Sequence, residues 1–117
     1  MDSLFNSTGY KADLLRGNTE LLLLYLISEF KEAYGYRLIK EIEGRSRGYF
    51  RFKEGTVYPA LHKLENIGLL KGEWKRIESG QERRYYSITK KGDEVLKKKL
   101  AMWQDFSAAL GLVLGSA

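Results

Sequence analysis

The sequence predicts an α+β domain, mainly α, in which two helices, a recognition-type helix and a β-hairpin precede one long final helix. Three observations carry the prediction. In the stretch EGTVYPALHKLENIGLL, residues 54–67 set Val57, Ala60, Leu61, Leu64 and Ile67 on one side at helical spacing. The opposite side shows Gly55, Tyr58, Pro59, His62 and Asn66, with Thr56 and Lys63 on the flanks. A merely solvated face is usually covered with charge, whereas this one carries a large aromatic, a proline and hydrogen-bonding groups. Next come two β-type runs, LLKGEWKR and RRYYSI, separated by IESGQE, whose Ser79-Gly80 marks a turn. Finally, Leu96, Leu100, Trp103, Leu110 and Leu114 form a row that approximates a heptad seam, with Phe106 covering the slot beside Ser107.

Taken in order, residues 1–11 are polar and rich in turn formers, which suits a fraying segment or an arm. Asn18 is placed to cap the first helix, and Glu20 falls in its first turn, where the helix dipole favours a negative charge. Residues 21–27 are apolar on every face, which predicts burial on two sides, one of them against a second domain or subunit. In KEAYGYRLIKEIEGRS, a second helix turns Leu38, Ile39 and Ile42 inward and Arg37, Lys40 and Glu41 outward, and Gly44 and Gly48 weaken its end. YFRF (49–52) is short and aromatic and reads as a brief strand. The recognition-type helix carries Pro59 early enough to lose at most one intrahelical bond, and Gly68 supplies the left-handed residue that closes it. In the hairpin, Leu70, Trp74, Tyr86 and Ile88 can face the core, while Lys75, Arg76, Arg83 and Arg84 crowd the outer part. Thr89 caps the final helix, with Asp93 and Glu94 in its first turns. Residues 106–117 carry no charge, so an exposed tail would be an aggregation hazard and a second subunit is expected to cover it. Helix, helix, strand, helix and hairpin is the order of a winged helix-turn-helix. Residues 12–89 form that unit, and residues 90–117 form a dimerisation helix in the same compact body.

Composition narrows the function. The chain has 117 residues, enough for one core, and a net charge of +5. Residues 1–70 hold ten Lys/Arg and nine Asp/Glu, whereas residues 71–99 hold ten and five. The basic excess therefore lies just past the recognition-type helix and favours a polyanionic partner. With no cysteine there is neither a disulfide framework nor thiolate chemistry, which fits a cytoplasmic protein. No basic segment followed by an apolar run opens the chain, so no signal peptide is expected, and LLLLYLI is too short to span a bilayer. His62 is the only histidine, and no metal site or cofactor is expected. The absence of a Ser/His/Asp set, a phosphate-cradling glycine loop or HExxH argues against an enzyme.

The segments YGYRLIKEI (34–42), EGTVYPALHKLENIGLL (54–70) and RRYYSITKKG (83–92) stand in an order and separation that resemble the PadR family of bacterial transcriptional repressors. The resemblance covers about residues 14–110, and the single final helix looks like the family's small subclass. Lys53-Glu54 departs from the serine cap and proline often found there. The resemblance implies a homodimer whose final helix packs with the partner's first helix, and two recognition helices reading a palindromic double-stranded operator. On chemistry, Tyr58 and Pro59 suit base edges and a thymine methyl, or else packing against the wing or a helix start. Thr56 suits a phosphate or a base edge, or else a local cap, and His62 is counted with the DNA-binding residues of the same face. Lys63 suits phosphates, Arg83 and Arg84 suit phosphates or the minor groove with Arg76 beside them in the basic wing, and Tyr36 suits the DNA backbone or else the core. Strand alternation also allows one of the Arg83–Arg84 pair to turn inward or to meet Glu73. Trp103, with Leu100, Ser107 and Glu20, is a candidate site for a small aromatic effector that would release DNA, or else plain packing in the dimer seam. A winged helix used for protein–protein contact or RNA binding is the second reading.

Overall fold

Four apolar side chains in succession, residues 21–24, can be buried only if several elements surround one helix, and that is what the chain provides. The structure, a computed structural model, describes residues 17–115, so the arm expected over residues 1–11 lies outside it. Helix α1 (Thr19–Phe30) buries Leu21, Leu23, Leu24, Leu26 and Ile27 and exposes Tyr25. It is packed by the second and third helices, the sheet and the final helix. The second side expected to await another subunit is thus filled largely from within the chain. Asn18 occupies the N-cap position, yet its side chain makes no capping bond; its carbonyl accepts from the Leu22 N–H at 3.0 Å.

Strand β1 (Ala33–Tyr34) follows and leads directly into α2 (Gly35–Arg45), which buries Leu38, Ile39 and Ile42 as its period requires. The YFRF segment is not a strand. The central strand β3 (Glu82–Ile88) has β1 on one side and β2 (Leu70–Arg76) on the other, so both of its edges are paired. Phe52 is buried instead, and Phe50 stacks on it with ring centroids 6.2 Å apart.

Helix α3 (Glu54–Asn66) runs unbroken through Pro59. Val57, Leu61 and Leu64 are fully buried and Ala60 is half-buried, but Ile67 is 45% exposed rather than in the core. The reason is the helix end. Ile67 is the C-cap, Gly68 takes φ +83°, and its N–H donates to the Glu65 carbonyl (3.0 Å) while the Leu69 N–H donates to the Leu64 carbonyl (2.9 Å). This Schellman turn swings Leu69 into the place that the helical pattern reserved for Ile67.

Strands β2 (Leu70–Arg76) and β3 (Glu82–Ile88) form the antiparallel hairpin, paired from Leu70↔Ile88 through Gly72↔Tyr86 and Trp74↔Arg84 to Arg76↔Glu82. Directly opposed residues share a face, so Leu70, Gly72, Trp74, Arg84, Tyr86 and Ile88 look the same way. Leu70 and Tyr86 are buried and Ile88 packs on the core, but Trp74 is 63% exposed. The hairpin outruns the helical body, so the core side of the strand continues into solvent.

Thr89 begins α4 (Lys90–Leu114): its hydroxyl oxygen accepts from the Gly92 N–H at 3.0 Å and its hydroxyl donates to the Gly68 carbonyl at 2.7 Å. Gly92 is required there, because a Cβ would lie 2.1 Å from the Leu69 carbonyl oxygen. Leu96 is buried and Leu100 packs on the core. Beyond Leu100 the helix leaves the body, exposing Met102, Trp103, Phe106, Leu110, Leu112, Val113 and Leu114.

Candidate nucleic-acid interface

With Val57, Leu61 and Leu64 locked in the core, the helical period obliges α3 to present its other side outward. Thr56, Tyr58, Pro59, His62 and Lys63 are all exposed there. Tyr58 is 37% exposed. Its ring lies against the start of α2, where a Cβ on Gly35 would sit 2.6 Å from Tyr58 Cε1. The glycine of the YGYR segment thus permits the close approach of α2 and α3 at this point. Burial, with a further contribution from Glu54, pushes the Tyr58 phenol pKa up, so this hydroxyl stays protonated and able to donate. Tyr36 is exposed in the first turn of α2, with Lys40 Nζ 5.4 Å from its ring centroid. These groups and the inner wing enclose a cleft of about 430 Å³, lined by Tyr34, Tyr36, Tyr58, His62, Trp74 and the two wing arginines among others.

The wing cations differ in how far they are already engaged. Arg76, at the end of β2, makes no ion pair among the described residues. Arg83 lies 4.3 Å over the Tyr34 ring. Lys75 binds Glu32 at 2.7 Å, which raises its pKa, and it also lies 5.4 Å from the Tyr85 ring centroid. Arg84 turns inward as alternation allows, but its partner is Glu65 of α3, at 2.6 Å; Glu73 instead meets Lys71 at 3.4 Å. The Glu65 carboxylate raises the Arg84 pKa further above its already high ordinary value. Glu65, Glu32 and Gly35 were not singled out for these roles in the sequence. Only Gly35, inside a recognisable motif, carried a local signal.

The effector candidates separate. Trp103 and Ser107 line an apolar groove of about 520 Å³ between the start of α1 and the outer part of α4, together with Leu21, Met102, Phe106 and Leu110. Leu100 and Glu20 do not line it. Leu100 packs on the core, and Glu20 accepts from Lys63 Nζ at 3.0 Å, which also ties that expected phosphate contact to α1. Among the described residues no group of three or more His, Cys, Asp or Glu is arranged to hold a metal, and no helix is long and apolar enough to cross a membrane.

Residues 23–98 match the transcriptional regulator PadR-like family. A protein of Lysinibacillus sphaericus, uncharacterised, is 30% identical over 104 residues, covering 89% of this chain and 94% of that one. A transcriptional regulator of Mycobacterium tuberculosis is 42% identical over 65 residues, 56% of this chain and 57% of that one. Among solved structures, a PadR family transcriptional regulator from Eggerthella lenta superposes with a TM-score of 0.81 at 31% identity, covering 99% of this chain and 96% of its own. A PadR-like regulator from Bacillus cereus gives 0.76 at 31% identity, covering 90% and 99%. With the winged helix-turn-helix and its outward α3 face in place, these similarities establish that the chain belongs to the PadR-like family of DNA-binding transcriptional regulators, which are not enzymes.

Proposed function

We propose that the protein is a homodimeric repressor that reads a palindromic operator through α3 and the wing. The observation that carries this reading is the division of α3 into a fully buried face and an exposed one bearing Thr56, Tyr58, Pro59 and His62, flanked by Tyr36 and the basic wing. Tyr58 donates to a base edge and Pro59 meets a thymine methyl; Thr56 and His62 add hydrogen bonds to bases or phosphates. Lys63, Arg76 and Arg83 neutralise phosphates, and Tyr36 rests on the sugar-phosphate backbone. The apolar side chains left open on the outer part of α4 support dimerisation there, with recognition helices entering successive major grooves roughly 34 Å apart. Trp103 and Ser107, in the groove beside α1, are where a flat aromatic effector would loosen that dimer by stacking.

A footprint on DNA upstream of the protein's own gene tests the reading. Two symmetric half-sites should be protected by a dimer, with log affinity falling against log salt at about −0.9 per neutralised phosphate. Affinity that ignores salt, or that fails to prefer duplex DNA over RNA, favours the interaction-module reading instead.

A further inference from the structure

We infer that Glu65 and Arg84 are positioning residues: their ion pair, seated in the space left by Gly72, holds the wing at the angle to α3 that operator binding requires. The inference rests on the DNA-binding reading of α3 and the wing.

A hairpin that projects past its supporting body is free to tilt unless something ties it down. Glu65 stands in the last turn of α3, and Arg84 stands in the part of β3 that runs beyond Tyr86 toward the wing tip. Their oxygen and nitrogen are 2.6 Å apart, and both side chains are only about a quarter exposed, at 26% and 27%. Charge-assisted bonds of this length are the stronger and more directional class. On the neighbouring strand Gly72 faces the same side, and a Cβ there would come within 2.8 Å of Arg84 Nε, Arg84 Nη2 and Glu65 Oε1. The pair therefore occupies the volume that any side chain at Gly72 would take. The Trp74 ring centroid lies 5.4 Å from the same guanidinium. On the other face Lys75 is tied to Glu32 beside the end of α1, so the wing is held from both sides.

Two roles for Arg84 predict opposite signs at Glu65. If Arg84 served DNA directly, Glu65 would compete for it and add an acid beside a polyanion, and its removal would tighten binding. If the pair sets the wing angle, removing the acid weakens binding although the protein becomes more positive.

The test compares operator and random-duplex affinity, with full salt dependence, for wild type, Glu65→Gln, Arg84→Gln, the double variant, Gly72→Ala and Arg84→Lys, all well below their melting temperatures. Positioning predicts that Glu65→Gln and Gly72→Ala each weaken operator binding about three- to tenfold with less effect on random duplex, since bonds within one network couple strongly. Their salt slopes stay at the wild-type value, the double variant is no weaker than Arg84→Gln, and Arg84→Lys restores part of the loss. Tighter binding by Glu65→Gln, additive losses, or a slope lowered by about 0.9 in Arg84→Gln alone overturns the inference. A DNA-free arm keeps the two readings separable. In a Trp103→Phe background, Glu65→Gln and Gly72→Ala should each change Trp74 emission as the guanidinium is released, and unchanged emission overturns the tie. Wild-type protein that binds no duplex rejects the DNA reading, and the emission arm still decides whether the wing is held.

Discussion

The two most apolar stretches of the chain end in opposite circumstances. Residues 21–27 of α1 bury Leu23, Leu24 and Ile27 at 0% exposure, whereas the outer part of α4 leaves Leu112 and Val113 at 85%. Both would be read as parts of a core by composition. In α1 the sheet and three helices close around the run, so the burial is satisfied by one chain. In α4 the buried core ends near Leu100, and the apolar row continues largely exposed, with only its Trp103 and Leu110 side facing the start of α1. Hydrophobic sequence thus states a demand for burial, while the length of neighbouring elements decides who meets it. The groove at Trp103 lies where the two regions meet, because Leu21 of α1 and Phe106 of α4 both line it.

The comparison is broken most decisively by removing one region. In the proposed dimer, deleting residues 102–117 should leave a monomer that keeps most of its helical signal, and sedimentation with circular dichroism reads both. A truncated chain that still sediments as a dimer would place the seam elsewhere. Leu24→Ala attacks the other region and should cost about 2–5 kcal/mol in urea unfolding, from lost transfer energy and a residual cavity. Its partner experiment, Leu110→Ser, should shrink the gain in stability that the proposed dimer draws from rising protein concentration and leave the dilute limit unchanged, since it perturbs association rather than the single-chain core. Gly92→Ala probes the start of α4, where it packs against Leu69. Its Cβ would meet backbone oxygen at 2.1 Å, so the helix start must shift, at roughly 1–3 kcal/mol by analogy with overpacked cores.

The smallest effect is alkaline. Burial, reinforced by Glu65, raises the pKa of Tyr86 above its ordinary 10.0. Above that pH the unfolded chain loses the proton while the native phenol keeps it, so the unfolded state binds fewer protons and stability falls as pH rises. Below it the contribution is complete. Tyr86→Phe should remove part of that decline in denaturant titrations taken across pH 9 to 12, the Tyr58 phenol and the Lys75–Glu32 tie supplying the rest.

Much was legible because it is local. The period that buries Val57, Leu61 and Leu64, the positive φ at Gly68, the hairpin about Ser79-Gly80 and the Thr89 cap each depend on residues within one or two turns of each other. The outward face of α3, and with it Tyr58 and Pro59 of the candidate site, follows from the same period. What sequence could not carry was which segment has room. YFRF is not a strand, and the place beside β3 is taken by Ala33–Tyr34, too short to announce itself. Ile67 was lost from the core to the geometry of a helix end, and Trp74 to a hairpin longer than the body beneath it. The ion pairs of the wing and the first helix join residues 19 positions apart for Glu65 and Arg84 and 43 apart for both Lys75 and Glu32 and Lys63 and Glu20. Periodicity and capping act through neighbouring peptide groups and are written in the order of residues. An ion pair or a vacant strand edge depends on distances between separate elements, and only the packed chain sets those.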